Sequence, residues 1–171
     1  MAIKKILTYP NPVLRQKVER VTNFDDSLKE LAATLAETMY DAPGSGLAAN
    51  QIGECVSVIV IDISGEPEEK KHLVLVNPEI IDKEGAQVDD EGCLSVMDLT
   101  AKVKRYQKLQ VRAQDLEGES WEFSAEDFMA RVIQHEVDHL NGILFIDHLS
   151  SLKRALYKKK LKKILQEQQE D

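Results

Sequence analysis

The sequence predicts a single α+β domain, with mixed or antiparallel strands around a central helix and a further helix at the C-terminal end. Three observations carry that expectation. A helical stripe at Asp25–Tyr40 is followed by strand-like segments, and helical patterning returns from Ser124 and again from Ser151. The length, 171 residues, suits one domain with chain enough to bury a core. Hydrophobic residues make up 43% and charged residues 30%, the balance of a globular protein rather than a disordered or fibrous one.

Each element has a local cause. In Asp25–Tyr40, Leu28, Leu31, Ala32, Leu35 and Met39 share one face at helical spacing, and Asp41-Ala42-Pro43-Gly44-Ser45-Gly46 breaks the pattern. Val56–Ile63 is a β-branched run ended by Ser64-Gly65-Glu66-Pro67, and Leu73–Val76 is a second strand stopped by Asn77-Pro78. Val103–Ala113 and Glu119–Phe123 form a hairpin around Asp115-Leu116-Glu117-Gly118. Ser124 opens the central helix, with Asp127 three residues on as a near capping box, and Gly142 closes it after Asn141. The last helix runs from about Ser151 toward Gln166. No repeat, low-complexity tract or linker divides the chain, so residues 1–149 form the body and residues 150–171 a basic helix and tail of the same domain.

Composition excludes several classes. No run of 18 apolar residues exists to span a membrane. The apolar stretch within Met1–Pro10 is too short for a secretory signal, so a cytoplasmic location is expected. The net charge of −8 argues against a whole-domain nucleic-acid binder, and no DNA partner is expected. In a reducing compartment, Cys55 and Cys93 read as buried thiols, nucleophiles or metal ligands rather than a disulfide.

The strongest chemical signal is His135-Glu136-Val137-Asp138-His139. Spacing of i, i+4 puts both imidazoles on one helix face, where they can share a metal, and Glu136 beside them can handle the protons of a water held there. The helix is apolar nearly all round: Phe128 and Val132 share the histidine face, while Met129, Ile133, Val137 and Leu140 cover the others. Such a helix belongs in the core, and two histidines buried together need a partner such as a metal. His72 and His148 are candidates for a third ligand, but Cys93 is better. It lies in the turn-rich Asp89-Asp90-Glu91-Gly92-Cys93-Leu94-Ser95, and a thiolate binds Zn²⁺ or Fe²⁺ strongly. Its bland alternative is a small core residue, the reading kept for Cys55. In Gly44-Ser45-Gly46-Leu47-Ala48-Ala49-Asn50-Gln51, small residues let a backbone approach a ligand closely, and the Gln side chain can donate to an oxyanion. No phosphate-loop Lys follows and no strand leads into it, so a nucleotide site is not expected.

Taken in order, Gly44–Gln51, Glu91-Gly92-Cys93-Leu94-Ser95 and Gln134–His139 resemble the three motifs of the peptide deformylases. The flanking Tyr9-Pro10-Asn11-Pro12-Val13-Leu14-Arg15 and Val76-Asn77-Pro78 are similar too, and the resemblance extends to about Leu149. It implies an enzyme that removes the formyl group from the N-terminal formyl-methionine of newly made polypeptides and releases formate. By similarity, Cys93, His135 and His139 hold the metal with a fourth position open, and Glu136 is the proton-transfer residue. The Gln51 side chain and the Leu94 backbone N–H stabilise the oxyanion, Gly46 receives the substrate backbone, and Phe128 and Val132 line the methionine pocket. Ligand chemistry alone favours Zn²⁺, whereas the resemblance implies Fe²⁺, replaceable by Ni²⁺, Co²⁺ or Zn²⁺. The sequence departs from the family pattern at Met97, where a Pro is usual, and at Thr100, where an Arg associated with substrate contact is usual; Lys102 or Lys104 could stand in for it.

The alternative function is a zinc-dependent peptidase of the H-E-x-x-H type. It would need a downstream third ligand, and His148 lies nine residues past His139, beyond the break at Gly142. Charge is also unevenly placed. Ser150–Leu165 holds seven basic residues and no acidic one, so the rest of the chain carries −15. Leu152, Ala155 and Leu156 share one side of this helix, and Leu161, Ile164 and Leu165 lie nearly opposite. The expectation is that its first turns pack on the body and the remainder projects. A projecting basic helix suits contact with ribosomal RNA, a solvated face being the alternative.

Overall fold

The computed structural model describes residues 3–170, with side chains to residue 168. Helix α1 (Asp26–Asp41) starts where the Asp25 side chain accepts from the Leu28 N–H at 3.2 Å. Its buried face, Leu28, Ala32, Leu35 and Met39, is the predicted stripe. It packs on β1 (Gly46–Ala48) and β2 (Val58–Ile61), the first two strands of a five-stranded antiparallel sheet. That sheet continues through β3 (Leu73–Glu84), β6 (Lys108–Gln114) and β7 (Ser120–Glu126), in the order β1-β2-β3-β6-β7. Two further strands, β4 (Gln87–Cys93) and β5 (Val96–Arg105), pair only with each other. Helix α2 (Asp127–Leu140) lies on the sheet, its Ala130, Ile133 and Leu140 joining Ile59, Ile61, Leu75 and Val111 in one core cluster. The whole is the expected α+β architecture.

Four expectations are corrected. Asn77-Pro78 does not stop the second strand: β3 runs on through it across a bulge, its register passing from Val76 opposite Gln114 to Glu79 opposite Arg112. Asn77 takes φ of +50° there, its side-chain amide bonds Val21 N (2.8 Å), Val21 O (2.9 Å) and Gln114 Oε1 (2.7 Å), and the bulge leaves Pro78, which has no N–H to donate, between the paired residues Val76 and Glu79. Val103–Ala113 is not one strand; it divides between β5 and β6 at Tyr106-Gln107, and only the β6–β7 hairpin around 115–118 stands as expected. Ser124 does not open the central helix. It lies in β7 opposite Gln110, whose Oε1 accepts its hydroxyl at 2.8 Å, and α2 begins at Asp127.

The fourth correction concerns α3 (Ser151–Glu170). Leu152 and Leu156 are 69% and 59% exposed, while Tyr157 and Leu161 are buried against Leu14, Val96, Phe145 and Leu149, with Leu165 packed beside them. The docked stripe is thus Tyr157-Leu161-Leu165 at i, i+4, i+8, and it is the first turns' leucines that face outward. Tyr157 Oη donates to the Met97 carbonyl at 2.8 Å and Lys160 Nζ to the Asp98 carbonyl at 2.9 Å. No described helix is long and apolar enough to cross a membrane.

Candidate active site

Helix α2 supplies His135, Glu136 and His139 from the middle of the core, and the tip of the β4–β5 hairpin brings Cys93 to meet them. One ligand atom from each of Cys93, His135 and His139 lies within 4.8 Å of the others, and Cys93 Sγ is 3.3 Å from His139 Nε2. A tetrahedral ion bound to one sulfur and two nitrogens holds the sulfur roughly 3.6 Å from each nitrogen. His135 Nδ1 is 2.9 Å from Glu91 Oε1, which leaves Nε2 as the donor toward the cluster. His139 is 1% exposed, and burial keeps its pKa well below that of an ordinary histidine, the neutral state a ligand needs. Burial opposes charge on His135 as well, but contacts with Cys93 and Glu91 outweigh it and raise its pKa; a cation at the same point would answer the same demand. Glu136 Oε1 is buried without a partner, 3.9 Å from His139 Nε2. These residues fit a divalent metal. His72 and His148 do not join them: His72 Nδ1 lies 3.3 Å from Tyr40 Oη, and His148 Nε2 lies 2.9 Å from Asp138 Oδ2 and 3.3 Å from Arg105 Nη1.

The sequence reading missed the ionic frame that holds His135. Glu91 accepts from Arg105 Nε and Nη2, both at 2.8 Å, and from Arg131 Nη1. Arg105 Nη1 bonds Asp138 Oδ2 at 2.6 Å. Burial would push the Glu91 carboxyl up, but the Arg105 guanidinium and His135 outweigh it and hold it at about 2. A charged residue one turn before His135 on a buried helix, Arg131, was the available signal. Asn50 was also missed; its Nδ2 donates to the His139 carbonyl at 2.5 Å and ties the turn bearing Gln51 to α2.

A cleft of about 400 Å³ opens beside the cluster. Gly46, Gln51, Leu94, Phe128, Val132 and Glu136, all singled out in the sequence, line it. β1 is the outer strand of its sheet and brings Gly46 so close to α2 that a Cβ there would stand 2.7 Å from Glu136 Oε2 and 3.0 Å from Val132 Cγ1. Gln51 is held from two sides: Oε1 accepts the Ala48 N–H at 2.9 Å, and Nε2 donates to Ser95 Oγ at 3.0 Å. Phe128, 53% exposed, stands at the mouth, and Val132 is buried deeper. Burial raises the Glu136 carboxyl to about 7, although the charge on His135 pulls the other way. Lys102, a candidate for the place of the usual arginine, stands opposite Asp90 on the hairpin, 3.9 Å from its carboxylate. Cys55 is half-buried ahead of β2, with its thiol 3.4 Å from Gln16 Oε1.

Chemically the arrangement is narrow in purpose. A sulfur and two imidazoles arranged to hold a cation, a proton acceptor poised near neutrality and an open strand edge fit the chemistry of metal-dependent hydrolases. Residues 3–155 match the family model described as polypeptide deformylase. A peptide deformylase from Desulfotalea psychrophila is 57% identical over 164 residues, covering 95% of this chain and 97% of that protein. One from Acidobacterium capsulatum is 47% identical over 164 residues, covering 96% of each. Among solved structures, a peptide deformylase from Legionella pneumophila superposes with a TM-score of 0.91 at 44% identity and covers 99% of both chains. The chain belongs to the peptide deformylase family.

Proposed function

We propose that this chain hydrolyses the formamide bond of N-terminal formyl-methionine on newly made polypeptides, with Cys93, His135 and His139 holding one Fe²⁺ ion. The observation that carries the reading is the Cys-His-His cluster with Glu136 beside the glycine edge at Gly46. When bound, the metal acidifies water and polarises the formyl oxygen. Glu136 takes a proton from the attacking water as its oxygen bonds the formyl carbon, and returns a proton to the amine nitrogen as the C–N bond breaks. The Gln51 amide, already oriented by Ala48 and Ser95, and the Leu94 N–H donate to the oxyanion. Gly46 admits the substrate backbone, and Phe128 and Val132 receive the methionine side chain. Protein purified without oxygen should release formate from formyl-Met-Ala and leave an unformylated peptide intact, with iron found by elemental analysis. Cleavage of the unformylated peptide instead would favour the zinc-peptidase alternative.

The reading places the enzyme in the cytoplasm, with residues 1–149 as the catalytic body and residues 150–171 as its basic helix and tail. The outward face of α3, Leu152 and Leu156 among exposed Lys153, Lys159 and Lys163, suits contact with ribosomal RNA beside an otherwise acidic body. Lys159→Glu with Lys163→Glu should weaken co-sedimentation with ribosomes at low salt and leave formyl-Met-Ala turnover unchanged. Equal pelleting of variant and parent across a salt series would overturn the ribosome contact.

A further inference from the structure

The β4–β5 hairpin carries Cys93 and Leu94 at its tip, yet among the described residues its two strands pair only with each other, so the main sheet does not hold that tip. Glu91 fastens the hairpin to α2 through His135 and Arg131, two residues short of Cys93. Beyond Glu91 the ladder breaks. Its register passes from Gly92 opposite Thr100 to Cys93 opposite Val96, so Met97, Asp98 and Leu99 form a bulge just after the turn. Asp98 takes φ of +56° there, a left-handed conformation uncommon outside glycine, which surrounding contacts must support.

Those contacts come from α3. Tyr157 Oη donates to the Met97 carbonyl at 2.8 Å, and Lys160 Nζ donates to the Asp98 carbonyl at 2.9 Å. Two consecutive carbonyls of the bulge are thus taken by one helix, from neighbouring positions i and i+3. Tyr157 is 3% exposed in the cluster that holds Val96. Burial pushes its pKa up to about 12, so the hydroxyl remains a donor near neutral pH. The other side of the turn is gripped separately: Ser95 O accepts the Tyr9 N–H at 2.7 Å, and Ser95 Oγ accepts Gln51 Nε2 at 3.0 Å. The turn that bears Leu94 is therefore held between the N-terminal segment and α3. We propose that Tyr157 and Lys160 are positioning residues of the reaction, which fix the Met97–Asp98 bulge so that the Leu94 N–H meets the oxyanion. This rests on the deformylase reading, and it gives the buried side of α3 a part in turnover. Neither residue lines the metal cleft or joins the Cys-His-His cluster. Their contribution is alignment of a donor that acts where charge develops, so it is expressed in kcat rather than KM.

The test measures formyl-Met-Ala turnover. Tyr157→Phe, which removes the hydroxyl and keeps the ring, should lower kcat about fourfold with KM within about twofold. Tyr157→Phe combined with Lys160→Met should lower kcat about tenfold, while Lys160→Arg, which keeps a donor, should retain the parent value. Leu161→Ala separates alignment from stability. It loosens α3 on its buried side without removing either donor, and should lower Tm more than Tyr157→Phe while kcat, measured well below Tm, stays within about twofold. In the same purified proteins, amide hydrogen exchange across residues 93–99 should be about threefold faster in the double variant than in the parent, with α2 unchanged. An undiminished kcat or unchanged exchange in the double variant would overturn the proposal. So would a loss carried wholly by KM, or an equal loss of kcat in Leu161→Ala. No formate from the parent enzyme would instead overturn the deformylase reading, and the part in turnover with it.

Discussion

Glu136 is 3% exposed, and burial lifts its carboxyl to about 7, which poises it as a base near neutral pH without making it a ligand. Glu136→Gln keeps the shape and loses the proton acceptor. Formate release should fall by about 10³-fold with metal content unchanged; a variant keeping more than about a tenth of the activity would remove Glu136 from its role. Cys93→Ala should lose metal and activity together, as elemental analysis would show. Gly46→Ala is a third case, since its Cβ would press on Glu136 Oε2 from 2.7 Å. Displacing the base by a fraction of an ångström should lower kcat/KM about 10²-fold while the circular dichroism spectrum and bound metal stay as they were. The residues of these predictions were legible because each type has few chemical uses at its spacing. Glu91, Arg105 and Asp138 were not, because an acid or arginine at an ordinary position looks like surface until its partner arrives from another strand.

At the scale of elements, legibility followed periodicity. Helix α1 and the β6–β7 hairpin keep a clear stripe or turn and stand as expected. Strand β4 leaves little apolar pattern to detect, its Val88-Asp89-Asp90 run being wholly exposed, whereas β5 does alternate, with Leu99, Ala101 and Val103 packed toward the core between exposed Asp98, Thr100, Lys102 and Lys104. In helix α3 an aromatic residue with a polar tip, Tyr157, completes the stripe with Leu161 and Leu165, and its hydroxyl donates to the Met97 carbonyl at 2.8 Å. A chain cut after Leu156 therefore loses Tyr157 and Leu161, which are 3% and 4% exposed. Burial of two such side chains contributes about 3–5 kcal/mol, so the truncated protein should show a lower Tm, and its loss of ribosome binding would say nothing about charge. The lysine reversals on the outward face should leave Tm unchanged. A truncated chain as stable as the full one would show that the docked stripe contributes nothing.

The whole molecule explains how three motifs far apart in sequence become one site. The segment ahead of α1 touches every carrier: Leu7 N–H donates to Gln51 O and Tyr9 N–H to Ser95 O, both at 2.7 Å, and Val18 N–H donates to Leu140 O at 3.0 Å. That segment has little helical or strand periodicity, so its role as a strap was invisible before the contacts were seen. It is fastened beyond α2 by Arg15, whose guanidinium meets Asp147 at 2.6 and 3.1 Å and the Gly142 carbonyl at 3.2 Å. Burial pushes the Asp147 carboxyl up, but Arg15 and the Leu144 N–H outweigh it and hold it below the usual carboxylate range. A carboxyl with a depressed folded-state pKa stabilises the fold above its unfolded pKa, and that contribution disappears as pH falls through the folded value. Side chains 40% and 29% exposed leave the pair well screened, so it contributes about 1 kcal/mol at most. Asp147→Asn should accordingly lower Tm by about 3 °C at pH 7. The gap should close as both proteins are taken below the ordinary carboxylate range, because the parent then loses the same charge. A gap that persists undiminished in acid would mean that Asp147 acts by shape or neutral hydrogen bonding rather than by its charge.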